Sequence, residues 1–139
     1  MINAIDILKW DNLPTEKEFI VQDWLAVGEV SFLKGECEVG KSLLAQQLMT
    51  AVIIGKPWLN MDVKRVKAYG VFCEDEREDL IRKQRAINRL FQLDEPLVES
   101  QIQMLARAGE DNVLMTFSNN GVGELTPFFH ELFEDIKLF

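Results

Sequence analysis

Residues 35–42 read Gly35-Glu36-Cys37-Glu38-Val39-Gly40-Lys41-Ser42 and fit the pattern G-x-x-x-x-G-K-[ST]. In this pattern the glycines let the backbone turn tightly and bring its N–H groups against phosphate oxygens. The lysine reaches the β- and γ-phosphates, and the serine hydroxyl coordinates Mg²⁺. The stretch predicts a nucleoside triphosphate site, with Ser42 as the metal ligand. The residues predicted to bind the nucleotide are Gly35, Glu38, Val39, Gly40, Lys41, Ser42 and Leu43.

The segments on both sides of this loop predict a strand and a helix. Before it, residues 29–34 read Glu-Val-Ser-Phe-Leu-Lys and predict a short strand. After it, residues 42–54 predict a helix that Gly55 and Pro57 end. Its apolar residues at helical spacing are Leu44, Leu48, Ala51 and Val52. In this order of elements, the free N–H groups and dipole of the helix face the bound phosphates.

Glu38 stands where many phosphate-binding loops have glycine, which meets an unusual backbone angle. Two outcomes are open. Glu38 either tolerates that angle and points to solvent, or reshapes the turn and weakens nucleotide affinity. The simpler alternative for the whole stretch is a glycine turn that only joins a strand to a helix.

Composition limits the classes of protein to consider. The chain has 139 residues, which suits one domain with a real core. A net charge of −8 argues against a broad nucleic-acid-binding face on the isolated chain. No apolar run approaches the length of a membrane span, and the N-terminus lacks the basic start of a signal peptide. A cytoplasmic location is therefore expected, with Cys37 and Cys73 as free thiols.

The chain before the predicted strand has the composition of a leading segment rather than a separate domain. Residues 1–28 are expected to pack on the core through large apolar side chains, namely Trp10, Phe19, Trp24 and Leu25. Residues 29–139 then form the main body. Within that body, residues 57–67 predict a loop anchored by Trp58 and Leu59.

A second informative stretch covers residues 68–75, an apolar run that ends in Glu74-Asp75 before a predicted helix over residues 76–93. The run lacks clean alternation, as expected for a strand covered on both faces of a parallel sheet. Ligands bind at the carboxyl ends of such strands, so Glu74 is a candidate to orient or deprotonate a water that attacks the γ-phosphate. The alternative is that Glu74 and Asp75 only begin the acidic first turn of the helix.

The helix over residues 76–93 carries a cluster of basic residues, namely Arg82, Lys83, Arg85 and Arg89. Glu78–Arg82 and Asp79–Lys83 stand four residues apart with the acid first, which favours ion pairs on a solvated face. A contact to phosphate or to a neighbouring subunit is the alternative.

The loop motif, a following loop with Gly55 and Trp58, and a strand that ends in Glu74-Asp75-Glu76 together resemble the RecA-like AAA-type ATPases. More narrowly, the chain is similar to the hexameric replicative helicases of plasmids, phages and integrated elements. The resemblance covers roughly residues 22–139, and its strongest parts are residues 35–48 and 69–87.

The resemblance implies a P-loop NTPase that binds and hydrolyses Mg²⁺·ATP, with DNA as a partner through an assembled homohexameric ring. In that family the glutamate that ends the second strand is the proposed catalytic base. It corresponds to Glu74 here, beside Lys41 as the other catalytic residue. The arginine pair common in the helix after the acidic motif corresponds to Arg82-Lys83.

The rest of the chain predicts strands over residues 102–106 and 113–117, and then a helix that starts at Thr126-Pro127. The apolar stripe of that helix is expected in the core and consists of Phe128, Leu132, Phe133 and Ile136, whereas His130 is expected at the surface. No apolar run that ends in Asp follows, so the sequence suggests an ATPase domain that stops before its Walker B strand.

Strands alternating with helices predict an α/β fold, a RecA-like and mostly parallel sheet with helices on both faces. Three functions are left open. The first is a RecA-like ATPase related to a DNA-handling motor. The second is a truncated or degenerate nucleotide-binding protein without turnover. The third is a small P-loop kinase, which the basic cluster on a regular helix disfavours because a kinase needs a basic lid.

Overall fold

The structure is a computed structural model that describes residues 16–36, 38–93 and 100–139, and the expectations for Trp10 and Cys37 lie outside these ranges. The described residues form a mixed α/β fold with three helices and short strands. The helices are α1 (Lys41–Ile54), α2 (Arg77–Leu90) and α3 (Pro127–Leu138). The strands are β1 (Phe19–Val21), β2 (Leu25–Ala26), β3 (Ala68–Phe72), β4 (Ile102–Ala106), β5 (Met115–Phe117) and β6 (Gly123–Leu125).

The strands of the described residues form three two-stranded sheets, and among these the β3–β4 pair is the parallel one. Its register runs from Ala68 opposite Ile102 to Phe72 opposite Ala106, with α2 in the crossover between the strands. The β1–β2 and β5–β6 pairs are antiparallel, because each joins neighbouring strands through a short turn. A parallel sheet is therefore present, but the prediction of one mostly parallel sheet is wrong for the described part of the chain.

The strand predicted over residues 29–34 does not form, and this prediction is wrong. The segment pairs with no other strand of the described chain, and Val30 and Phe32 are 83% and 92% exposed. An extended segment becomes a strand only when a neighbour accepts and donates its backbone hydrogen bonds. Residues 29–34 therefore have the apolar pattern of a strand but no neighbouring strand among the described residues.

Helix α1 lies at the centre of the molecule. Val52 and Ile53 pack with Ala68 and Ile102 of the parallel pair in one apolar cluster. On another side of the helix, Ala51 packs in a second cluster with Val21 and Trp58. The predicted face is thus confirmed at Ala51 and Val52, whereas Leu44 and Leu48 are only half-buried.

A polar network joins α1 to α2. The Gln46 side chain is fully buried, and its Nε2 donates to Leu80 O at 2.9 Å and to Gln84 Oε1 at 3.0 Å. Gln84 Nε2 in turn donates to Thr50 Oγ1 at 3.0 Å and to Asn88 Oδ1 at 2.8 Å. Because buried amides need partners, this network sets the position of α2 along α1.

The described part of the leading segment contains the β1–β2 hairpin. Val21 of β1 is fully buried, and Phe19 and Leu25 are half-buried, whereas Trp24 remains 48% exposed. The Trp24 ring lies 5.1 Å from that of Trp58, centroid to centroid.

The loop before β3 is anchored by one of the two residues expected to do so. Trp58 is buried, as predicted for an anchor of this loop. Leu59 is 60% exposed, so the prediction for Leu59 is wrong.

The C-terminal helix lies on the surface of the described fold. Thr126 Oγ1 accepts from Phe129 N at 3.2 Å, which confirms the predicted cap. No residue of α3 is buried, and Phe133 and Ile136 are about half exposed. The prediction of a core stripe is wrong here, because α3 meets little of the rest of the described chain. His130 is exposed, as predicted.

Among the described residues, no helix is both long and apolar enough to span a bilayer.

Candidate phosphate-binding site

The loop before α1 contains two described residues with left-handed backbone angles. Gly40 is the N-cap residue of α1 and has φ 89°, in the left-handed region that glycine adopts without strain. Glu38 has φ 62° and is exposed to solvent. Glu38 thus adopts a left-handed angle with an exposed side chain, as in the first of the two outcomes, and its effect on nucleotide affinity stays a prediction.

The Lys41 side chain folds back over the loop. Its Nζ donates to the carbonyl oxygen of Gly35 at 3.0 Å and also to that of Glu36. A Cβ on Gly35 would lie 3.2 Å from Cγ2 of Val39, so glycine is the residue that this close turn accommodates best. The ammonium group of Lys41 is thereby held at the inner side of the loop.

The first turn of α1 offers unshared backbone donors. Gly40 makes no side-chain cap, and the first turn contains no acidic residue. Leu44 N donates to Gly40 O at 2.9 Å, which leaves the N–H groups of residues 41–43 without partners inside the helix. The positive end of the helix dipole and the Lys41 ammonium therefore face the same region, and this donor set fits a polyphosphate.

The carboxyl end of β3 forms the opposite wall. A cavity of about 370 Å³ is lined by Lys41 and Ser42 on one side and by Cys73, Glu74 and Asp75 on the other. The adjoining cavity of about 330 Å³ is lined by Val39, Gly40 and Leu43, among others. Glu74 is exposed and lies in the bend between β3 and α2. The expected proximity of Glu74 to the loop is thus present, because α1 packs directly against β3.

Asp75, which the sequence analysis did not assign to the site, makes the most extensive contacts of this wall. Its carboxylate forms an ion pair with Lys83, and Asp75 lines the same cavity as Ser42. Burial raises the pKa of Asp75, but the hydrogen bond with Lys83, the nearby Ser42 hydroxyl and the charge of Lys83 outweigh burial and lower the pKa below its ordinary value. Asp75 is therefore an ionised carboxylate in the cavity that Ser42 also lines.

The ion pairs of α2 differ from the predicted ones. Arg82 Nη1 lies 2.9 Å from Asp79 Oδ1 rather than beside Glu78, and Lys83 pairs with Asp75 rather than with Asp79. Helical side chains lean toward the N-terminus, which lets Lys83 reach a residue before the first turn. This direction of helical side chains could have indicated from the sequence that Lys83 pairs with Asp75.

The remaining basic residues of α2 are on its solvent side. Arg82, Arg85 and Arg89 are all exposed, as a solvated helix face predicts. The helix itself begins at Arg77, so Glu74 and Asp75 precede it and are not part of its first turn.

A metal at this site would take only part of its ligands from the protein. In the described part of the chain, no three His, Cys, Asp or Glu residues are grouped closely enough to hold a metal ion. Mg²⁺ in nucleotide sites takes most of its ligands from phosphate oxygens and water. One hydroxyl from Ser42 is compatible with that mode of binding.

A comparison with protein families finds one match over nearly the whole chain. The family described as AAA domain matches residues 3–138. No curated protein and no solved structure shows a significant match.

Proposed function

The chain belongs to the AAA domain family, and on that premise we propose that it is a RecA-like P-loop ATPase. Membership of this family indicates an ATP-binding domain of the AAA type. The finer proposal names the ligand site: Mg²⁺·ATP is bound by residues 35–43 and hydrolysed with the help of Glu74.

The observation that carries the proposal is one shared cavity. Lys41 and Ser42 from the start of α1 line it together with Glu74 from the carboxyl end of β3. A phosphate-binding lysine, a metal-binding hydroxyl and a carboxylate within one space are the groups that phosphoryl transfer to water needs.

Each of these residues has a distinct role in the proposed reaction. The Lys41 ammonium and the free N–H groups of α1 hold the β- and γ-phosphates and balance their charge. Ser42 holds Mg²⁺, which neutralises charge on the phosphate oxygens when it is bound. Glu74 orients a water and accepts its proton as the oxygen attacks the γ-phosphorus. The bond to the β–γ bridging oxygen breaks, and ADP and phosphate leave.

The assignment to a DNA-handling motor belongs to the same proposal and is supported by the resemblance of residues 22–139 to replicative helicases. The net charge of −8 disfavours a DNA-binding face on one isolated chain. We therefore propose that DNA is contacted through an assembled ring of copies, a hexamer by that resemblance.

The domain assignment remains a proposal as well. Residues 1–28 are a leading segment, and residues 29–139 belong to a RecA-like ATPase domain. The apolar character of Val30 and Phe32, which is typical of a buried strand, supports a boundary before residue 29.

A second candidate is nucleotide binding without turnover. The side chain of Glu74 is exposed and makes no hydrogen bond or ion pair within the described part of the chain. A base that is not held by a neighbour positions water poorly. This observation favours binding over hydrolysis for the chain by itself.

The test of the site is calorimetric ATP binding in the presence of Mg²⁺, with the parent, Lys41→Ala and the control Lys17→Ala. Lys17 pairs with Glu29 on the surface at 2.7 Å, so its loss should leave binding intact. We expect Lys41→Ala to abolish binding while circular dichroism shows an unchanged fold. Equal affinity in the parent and Lys41→Ala would overturn the site assignment.

Turnover is tested on the same proteins with Glu74→Gln added. The ATPase proposal expects Glu74→Gln to bind ATP normally and to lose hydrolysis. Parent protein that binds ATP without releasing phosphate would support the second candidate instead, and unchanged turnover in Glu74→Gln would remove Glu74 from the proposed mechanism.

A further inference from the structure

A further cavity lies between helix α2 and the end of strand β4. Its volume is about 590 Å³, and its lining shares no residue with the candidate phosphate site. Binding sites for small molecules have volumes of about 300–1,000 Å³, so a small molecule fits this space. The function proposed above makes no use of this cavity.

Two stripes of α2 form one wall of the cavity. Within each stripe the residues are four positions apart, so they lie one above the other on one side of the helix. The first stripe consists of Arg77, Ile81 and Arg85, and the second consists of Leu80, Gln84 and Asn88. Both acidic residues of α2 are outside these stripes, so this wall carries only positive charge.

The opposite wall is apolar and comes from β4, where Met104, Leu105 and Ala106 line the cavity. The two walls are held in place independently of any ligand. Gln84 belongs to the hydrogen-bond network that joins α2 to α1, and β4 is paired with β3 along its whole length. The cavity is therefore largely preformed, as binding sites for small molecules usually are.

The charges around the cavity favour an anion. The one acidic residue of the lining, Glu110, pairs with Arg107 at a distance of 2.9 Å between Oε2 and Nη1, so these two charges offset each other. Arg77 and Arg85 are exposed and form no ion pair with any described residue. They are about 12 Å apart along the helix axis. In a chain with a net charge of −8, two unpaired arginines beside an apolar wall are a local site of positive potential.

We propose that this cavity binds a small organic anion, a molecule with an apolar body and a carboxylate, sulfonate or phosphate group. The apolar body packs against β4 and against Ile81, which is 38% exposed and stands between the two arginines. The anionic group is held by Arg77 or Arg85, because a guanidinium forms paired hydrogen bonds with such groups.

Other kinds of occupant use this cavity less completely. An inorganic anion leaves the apolar wall of β4 uncovered, and a neutral apolar molecule leaves the arginines without a partner. The space has the size of one small molecule, whereas a protein interface needs about 800 Å² of surface on each partner. The sequence analysis left open a contact to phosphate for the basic cluster of α2, and Arg85 of that cluster is the residue that lines the cavity.

The test uses two fluorescent probes with the same aromatic body, titrated against the full chain of 139 residues. 8-Anilinonaphthalene-1-sulfonate carries an anionic group, and N-phenyl-1-naphthylamine is its neutral counterpart. We expect the double variant Arg77→Gln/Arg85→Gln to bind the sulfonate probe at least about tenfold more weakly than the parent, because hydrogen bonds to a charged group are lost. The affinity for the neutral probe should stay that of the parent.

The matched control is Arg82→Gln/Arg89→Gln, which removes the same charge from the same helix outside the cavity. It should bind both probes as the parent does. Equal weakening in the two double variants would mean that only the overall charge matters, and equal weakening for the two probes would mean that the arginines do not recognise the anionic group. Either result, or sulfonate binding that survives Arg77→Gln/Arg85→Gln, would overturn the inference.

Ile81→Glu tests the same site with both arginines retained. The new carboxylate stands four positions from each of them and pairs with them in place of a ligand. We expect binding of the sulfonate probe to weaken at least about tenfold, whereas Leu90→Glu, at a 63% exposed position of α2 outside the cavity, should have no effect. Circular dichroism checks that each variant is folded. Unchanged binding in Ile81→Glu, or a folded parent that does not bind the sulfonate probe, would contradict the proposal.

Discussion

Helices α1 and α3 have similar lengths, 14 and 12 residues, but they stand in opposite relation to the core. Helix α1 buries five residues, whereas α3 buries none. The capping residues at the starts of the two helices show the opposite contrast. Helix α3 begins with a bonded Thr126 cap and a proline, whereas α1 follows the N-cap residue Gly40, which supplies no side-chain cap.

The difference teaches that a good local start does not determine where a helix packs. A cap stabilises a helix by satisfying its first N–H groups, and a proline favours its first turn. These gains do not depend on tertiary neighbours. In α1 the same N–H groups are left free at the candidate phosphate site, and its stability comes from the residues that surround it.

The largest effect on the free energy of unfolding is expected when isoleucines of the two helices are compared. Ile53 of α1 is 1% exposed, and Ile136 of α3 is 47% exposed. We expect Ile53→Ala to lower the free energy of unfolding by about 2–5 kcal/mol because it leaves a cavity in the core. Ile136→Ala should change it by no more than about 0.5 kcal/mol. Denaturant unfolding of both variants measures the contrast, and similar losses would mean that α3 is buried in solution.

A smaller effect is expected where α1 meets α2 through polar groups. Gln84→Ala removes three hydrogen bonds and leaves buried groups of Gln46 and Thr50 short of partners. We expect a loss of about 1–3 kcal/mol in the free energy of unfolding. The control is Gln22→Ala, which removes only an exposed hydrogen bond to Asp23 at 3.0 Å. Equal stability of the two variants would show that the network contributes no more than a surface contact.

The smallest effect is expected where α3 meets the parallel sheet. Asp135 accepts hydrogen bonds from Tyr69 and, at 2.9 Å, from Gln103, which are opposite each other in the β3–β4 register. Burial, the hydrogen bond to Asp135 and the charge of Asp135 raise the pKa of Tyr69 to about 12. The chain contains a single tyrosine, so tyrosinate absorbance reports on Tyr69 alone.

The raised pKa fixes the sign of the pH dependence. The unfolded tyrosine loses its proton near pH 10, as free tyrosine does, whereas the folded one keeps it to about pH 12. The contribution of Tyr69 to stability is therefore complete below about pH 10 and is lost as the pH rises toward 12. We expect Asp135→Asn to lower the midpoint of the absorbance titration, and the exposed Glu131→Gln to leave it unchanged. An unchanged titration midpoint in Asp135→Asn would show that α3 does not contact Tyr69.

Much of the candidate site was predictable because its residues lie in two short continuous segments of the chain. The motif at residues 35–42 specifies a tight turn before a helix, and the run ending at Glu74 specifies a strand beside it. The cavity that Lys41, Ser42 and Glu74 share follows from that order. The place of Asp75 in this cavity was missed, because Asp75 and Ser42 come to line one space only after α1 has packed against β3.

The sequence by itself determined the existence of α1, α2, α3, β3 and β4, together with the candidate phosphate-binding motif. Those features depend on periodicity, caps and turn residues, which act over a few neighbouring positions. Only the tertiary structure decided that α1 is central to the described fold, that α3 lies on its surface and that residues 29–34 pair with no strand of the described chain. Burial and strand pairing depend on which surfaces meet, and that information is spread over segments distant in the chain.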